Sequence, residues 1–323
     1  MQLPHIFRVT KYDPADRDDN GSYIGTEDTV SDHGQVEGAY LQAVEAFAVE
    51  VGIDRLSVRE PGIPSLVHFG VEPLQDGFGL DGLFPNGLTG FHDGAEVPLG
   101  VALELVRVML RESGAWCRLE AEGAFAVHVG WDQYLYIGSG RLCEGALART
   151  RELGLFAERL DASPYAVETD PEGVQRPGDD DFWACLRAAV ATGRAGTLEE
   201  TYIDGVTRWH RLSPDTVDTV RAGLAPRVRL AVWPGLSDDV DAVLAAFPAE
   251  GLVECVWQDT AGRLHSAVAD EDDFPRLAAR ISGADVAAAA LLSMYADERV
   301  PLFTAVMPDA DGVVRARWQT EPS

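Results

Sequence analysis

Long apolar runs are absent from this sequence: none approaches the roughly 20 residues that a membrane span requires. The N-terminus, MQLPHIFRVT, lacks the basic-then-apolar layout and the small-residue cleavage site of a secretory leader. A cytoplasmic protein is therefore expected. Cysteine is scarce. The four present, Cys117, Cys143, Cys185 and Cys255, are widely spaced and form no CxxC pair. Neither a disulfide framework nor a zinc site is expected, and they read as buried reduced thiols. Basic residues are few: 26 Lys and Arg stand against 53 Asp and Glu, a net charge of −27. A chain this acidic repels phosphate backbones, which disfavours direct nucleic-acid binding and favours a basic protein partner or cations. No P-loop, dinucleotide fingerprint or GxSxG nucleophile elbow is present.

What is present fits a globular α/β protein. Hydrophobic residues make up 46% of the 323 positions, enough for a real core. PHIFRVTKY (residues 4–12) reads as a strand. Residues 31–52 show helical spacing of Val36, Tyr40, Val44 and Phe47, with Ser31 or Asp32 as cap and Gly52 as stop. Helices are expected again over residues 99–114, 143–154, 181–193, 213–224 and 237–247. Short strands are expected around residues 115–138, and a hairpin over 252–269. The alanine-rich stretch ADVAAAALLSMYA (284–296) reads as a buried helix. Residues 61–97 are rich in Gly and Pro but also in Phe and Leu, which argues for a packed loop. The Pro, Gly and acid of residues 161–180 mark a linker. The expected fold is α/β (α+β) in two domains, 1–160 and 181–323, each a mixed sheet packed with helices.

Three stretches offer candidate sites. DRDDNGSYIGTE (16–27) fits the calcium-loop pattern, with Asp16, Asp18 and Asn20 giving side-chain oxygens, Ser22 its carbonyl and Glu27 two oxygens. Its flanks lack the two helices of an EF-hand, and the competing reading is a hairpin turn at Asn20–Gly21. Beyond this calcium alternative no cofactor is expected. SDHG and FHDG place His33, His92 and Asp93 at loop–helix junctions, the pairing a general base or half a metal site would use, with His128 or Asp132 as further members. YIGSGRLCEG puts Ser139 and Arg141 between a strand and a helix. They form an anion cradle in one reading, and Ser139 is a plain helix cap in the other. Among the seven tryptophans, the stretch WDQYLY (131–136) is the one best placed to turn an aromatic face outward. It makes Trp131, Asp132 and Tyr134 binding candidates.

HIFRVTKYDPADRD, SDHGQVEGAYLQAVEAFA, GLFPNGLTGFHDGAEVPL, GAWCRLEAEG, WDQYLYIGS and ARWQTEPS together resemble the N-terminal region of uncharacterised actinobacterial proteins described as RNA-binding. In that family an S1-type OB domain follows this region. Here the sequence ends at Ser323, so no base-stacking barrel is expected, and the RNA-binding label attaches to no residue of this chain. The resemblance implies a setting near RNA or the translation machinery.

Three functions follow as expectations. The first is a non-enzymatic, acidic interaction module that reaches RNA machinery through a basic partner. The second is an antitoxin or immunity-type protein that neutralises a basic nuclease. The third is a hydrolase or transferase built on the 61–97 loop with His33, His92 and Asp93. Acidity without a complete catalytic set favours the first two.

Overall fold

The structure, a computed structural model, describes residues 3–20, 22–25, 32–64, 76–84, 88–163, 174–283 and 285–320. The chain divides into two units: Met1–Asp170 with Ile203–Gly205, and Pro171–Tyr202 with Val206–Ser323. Both combine helices with sheets. Every described pairing between two named strands is antiparallel, where mixed sheets were expected.

The first unit is a seven-stranded sheet. Its strands are β1 (His5–Thr10), β2 (Arg55–Gly62), β3 (Glu96–Pro98), β4 (Trp116–Ala121), β5 (Phe125–Val129), β6 (Leu135–Ser139) and β7 (Phe156–Leu160), in the order β3-β2-β4-β5-β6-β1-β7. Three helices pack with it: α1 (Gln35–Val51), α2 (Leu99–Leu110) and α3 (Glu144–Glu152). Alternation along the strands decides the core. Phe7, Val9, Val58, Leu119 and Val127 are 3% exposed or less, and Phe7 meets Phe47 of α1 with ring centroids 5.6 Å apart. Glu37 of α1 accepts from Arg107 of α2 and from Arg111, which follows it, at 2.6–3.0 Å, and burial is outweighed by these guanidiniums, so its carboxyl stays below the usual range.

The start of α1 differs from expectation. Gly34 occupies the cap position at φ 68° with no side-chain cap. Asp32 instead pairs with Lys11 Nζ at 2.9 Å, and Ser31 lies outside the described residues. Within the 61–97 stretch, Leu80, Phe84 and Phe91 are buried. The last two meet at 5.3 Å between ring centroids, so this part of the loop carries its own small core.

The second unit has two sheets. One holds β8 (Thr197–Ile203), β9 (Val206–Arg211), β10 (Arg229–Trp233) and β14 (Phe303–Val306) in the order β14-β10-β8-β9. The other holds β11 (Val253–Asp259), β12 (Leu264–Ala269) and β13 (Val286–Ser293) in the order β12-β11-β13. The helices are α4 (Asp180–Ala191), α5 (Val217–Gly223), α6 (Val240–Ala245) and α7 (Phe274–Ser282). Asp179 caps α4 by accepting from Phe182 N at 3.1 Å, and Trp183 is fully buried. α5 begins at Val217, later than the expected Ser213 cap. Ser213 is held in a preceding turn, where its N–H donates to Thr216 Oγ1 at 2.8 Å.

The alanine-rich segment is strand β13, a correction of the expected helix. Helix propensity favours alanine, but here tertiary pairing overrides it. Val253–Asp259 pairs with the segment along its length. Ala288 and Ala289 are both buried, and Ala289 lies in a cluster that includes Val240, Val243 and Leu244 of α6, where a side chain this small lets the helix lie close. A closing hairpin over residues 301–318 with Asp311–Gly312 in its turn is expected from sequence; after β14 the chain does turn there, with Asp309 N donating to Val313 O at 3.0 Å, but without a returning strand among the described residues. Cys117, Cys143 and Cys255 are buried and Cys185 is exposed; all four are free thiols. Burial pushes the Cys255 thiol up to about 12. No helix among the described residues is long and apolar enough to cross a membrane.

Candidate functional site

The face of the first sheet carrying Arg8 has a polar row. Pairing places Arg8 of β1 opposite Glu158 of β7 on one side and Tyr136 of β6 on the other, and Tyr136 opposite His128 of β5. Arg8 Nη2 reaches Glu158 Oε2 at 2.6 Å. The rings of His128 and Tyr136 stack at 5.3 Å with 12° between planes. Burial, with the charge of Arg118, pulls the His128 pKa down to about 3. The imidazole is therefore neutral at pH 7 and unsuited to proton transfer there.

At the end of this row the structure brings together two of the sequence motifs. Residues 16–20 and 22–24 pair as the two arms of a hairpin, and Gly21 lies outside the described residues. Asp18 N donates to Ser22 O and Ile24 N to Asp16 O, both at 2.9 Å, with Arg17 bridged to Tyr23. Asp18 Oδ1 accepts from Asn20 N at 2.9 Å and Ser22 N at 2.8 Å, the Asx geometry of a turn. The backbone thus takes the hairpin alternative, and the Asp18 carboxylate caps its own loop. Glu27 lies outside the described residues. Among the described residues no group of three or more His, Cys, Asp or Glu is arranged to hold a metal.

The hairpin is clamped to the β5–β6 turn by aromatic rings. Tyr23 meets Tyr12 at 4.4 Å, and Tyr12 meets Tyr134 at 5.9 Å. The Arg8 and Arg17 guanidiniums lie 5.5 and 5.6 Å from the Tyr134 ring centre, a cation–π arrangement. Lys11, the chain's single lysine, sits 5.0 Å from the Tyr12 ring.

Beyond the clamp stands Trp131, 83% exposed. Its turn is held from several sides. Gly130 N donates to Tyr134 O at 2.9 Å and Gln133 N to Gly130 O at 3.0 Å. Asp132 accepts from Tyr134 N at 3.1 Å and from the Tyr136 hydroxyl at 2.6 Å. Gln133, at φ 59°, donates through Nε2 to Glu112 at 3.0 Å. A large ring is thus presented to solvent on fixed backbone, with Asp132 and Glu112 beside it.

The other expected site residues have different roles. Asp93 is buried. Its Oδ1 accepts from Arg59 Nε at 3.1 Å and Glu60 N at 2.8 Å, which closes the bulge in β2 where Glu60 takes φ 50°. His92 Nδ1 donates to the Asp93 carbonyl at 2.9 Å. His33 is exposed in the turn before α1. Ser139 is fully buried, and its hydroxyl donates to Arg141 O at 2.7 Å. It does not cap α3, whose cap position is Cys143. The anion at that helix start is the chain's own Glu50, whose Oε2 accepts from Ala146 N at 2.6 Å, so the expected anion cradle is filled from within. Replacing Glu50 with Ala removes this cap and is expected to cost about 1 kcal/mol in urea unfolding, with Glu50→Gln losing less. A change within error for Glu50→Ala would contradict the capping role.

Sequence reasoning missed a second constellation, in the β8–β9 hairpin and its neighbours. Glu199, Glu200 and Glu254 are 7%, 0% and 4% exposed. Arg299 Nη2 bridges Glu199 at 3.0 Å and Glu254 at 2.7 Å. Trp233 Nε1 donates to Glu199 at 2.8 Å and Trp209 Nε1 to Glu254 at 3.0 Å. On the other face, His210 Nε2 donates to Glu200 Oε2 at 2.7 Å. Burial acts to raise the Glu200 pKa. The hydrogen bonds from His210 and Ala225 N and the charges of His210 and Arg208 outweigh it, so the carboxyl stays below the usual range. The signal for this hairpin was Asp204–Gly205 between two β-rich runs. No family model, curated protein or solved structure matches the chain.

Proposed function

We propose that this chain is a non-enzymatic interaction module that docks a basic protein, with Trp131 as its anchor. The observation that carries the proposal is a tryptophan 83% exposed on a pinned turn in a chain of net charge −27. Anchor residues of interfaces are typically tryptophan, tyrosine or arginine held in place before binding. The charge selects a basic partner and speeds its arrival. Several arginines of the first unit are paired with its own acids: Arg8 with Glu158, Arg59 with Asp93, Arg107 and Arg111 with Glu37. The resemblance in sequence supports a partner beside RNA or the translation machinery.

The test is capture of partners from a lysate of the source cells on the immobilised full chain, with and without RNase and added salt. The expected result is a basic protein released by salt and depleted when Trp131→Ala replaces the wild type. One stoichiometric nuclease would turn the reading toward an antitoxin. Equal capture by wild type and Trp131→Ala would remove Trp131 from the account.

A further inference from the structure

We infer that the cavity wrapped around the outer edge of β9 binds a small organic anion carried on a flat apolar body. This goes beyond the interaction surface of the first unit and rests on different residues. β9 ends the sheet order β14-β10-β8-β9. Beside it, between α5 and the β11–β12 turn, lies an open cavity of about 310 Å³, at the lower end of the size range of small-molecule sites. Trp209, Val220 and Leu264 give it an apolar wall; Arg211 and Thr219 give it donors, and His210 lines it with its Nε2 proton held by Glu200. None of the described residues lining it is a carboxylate, although acidic residues outnumber basic ones two to one in the chain.

The two central side chains are held before any ligand arrives. Trp209 and His210 are neighbours on β9, and each is gripped by its own buried carboxylate, Trp209 by Glu254 at 3.0 Å and His210 by Glu200 at 2.7 Å. Those carboxylates are anchored in turn. Glu254 receives Arg299 at 2.7 Å, and Glu200 Oε1 receives Ala225 N at 2.8 Å. Placing a carboxylate in a protein interior is costly, and here two of them fix neighbouring side chains on opposite faces of β9, both of which line the cavity around the open edge of the sheet, the support that binding groups require. The Arg211 guanidinium, exposed at the rim, supplies paired donors for a carboxylate or phosphate. The Trp209 ring supplies a surface for a flat body to stack on.

The experiment titrates the full chain with benzoate, with phenyl phosphate and with inorganic phosphate, following the Trp209 indole N–H in nitrogen–proton spectra assigned with Trp209→Phe. The expected result is a saturable shift with at least one of the two aromatic anions. The tighter of them identifies a carboxylate or a phosphate ester as the natural head group. Arg211→Ala is expected to weaken that binding about tenfold. Thr219→Phe, an exposed helix position that fills the cavity, is expected to abolish it while the remaining signals stay in place. Three results would each overturn the inference: no saturable shift at concentrations up to about 10 mM, about tenfold above a millimolar Kd; a shift that survives both substitutions; or inorganic phosphate acting as well as the aromatic anions.

Discussion

Replacing Arg299 with Met is expected to destabilise the second unit by about 3–5 kcal/mol, on the order of 10 °C in its melting temperature. Glu199 and Glu254 face each other across the two sheets with Arg299 Nη2 between them at 3.0 and 2.7 Å. Their remaining described partners are indole N–H groups, which carry no charge. Without the guanidinium two buried carboxylates oppose each other, with water unable to solvate them. Removing all three charges together, by Glu199→Gln and Glu254→Gln on the Arg299→Met background, should recover most of the loss, because neutral isosteres carry no uncompensated charge. The contrast lies in the first unit. Glu37 is likewise buried, but Arg111 is 45% exposed on its side chain and Arg107 remains bonded to Glu37 at 2.9 Å. Arg111→Met should therefore cost only about 1 kcal/mol or less. Thermal melts followed by tryptophan fluorescence separate the two cases. Similar small losses for both would mean that water reaches the space between the sheets.

Replacing His210 with Leu is expected to cost about 3 kcal/mol at pH 7, and the deficit should shrink in acid. Glu200 is fully buried, and in the wild type its pKa lies below the usual carboxylate range. It therefore contributes stability at pH values above the ordinary carboxylate pKa. That contribution is lost as the pH falls through the folded value. In the variant the principal hydrogen bond and its charge are gone, so burial dominates and raises the Glu200 pKa. The variant then takes up its proton at a higher pH than the wild type and sheds the buried charge earlier. Urea unfolding at pH 7 and near pH 4 measures the difference. A gap that stays constant or widens in acid would contradict the assignment of an ionised, His210-held Glu200.

The helices of this chain were legible where apolar spacing was regular. Tyr40, Val44 and Phe47 are buried on α1, and Gly52 ends it at φ 87°. Strands β4, β5 and β6 were legible from aromatic and β-branched content. The helix caps were less so, because the acids available near them serve other partners: Asp32 goes to Lys11, and Glu50 reaches α3 from a different helix. β13 was hidden by its alanines, whose local preference opposes the strand that pairing imposes. β8 was hidden by Glu199 and Glu200, since adjacent glutamates mark an exposed segment unless partners bury them. Those partners, Arg299, Trp233 and His210, lie on other strands or loops, and no sequence spacing joins them. The same holds for the first-unit cluster. The acidic loop and WDQYLY were each visible as motifs, but the stack of Tyr23, Tyr12 and Tyr134 that joins them depends on β1 and β6 being neighbours.

The docking role of Trp131 is tested most directly by the affinity of the captured basic partner for the wild type and for Trp131→Ala, measured by calorimetry at low and high salt. The expected result is a loss of about 2 kcal/mol or more for the variant, roughly 30-fold in Kd, with both proteins weakened further by salt and with unchanged melting temperatures. An affinity that is the same for both proteins would contradict it.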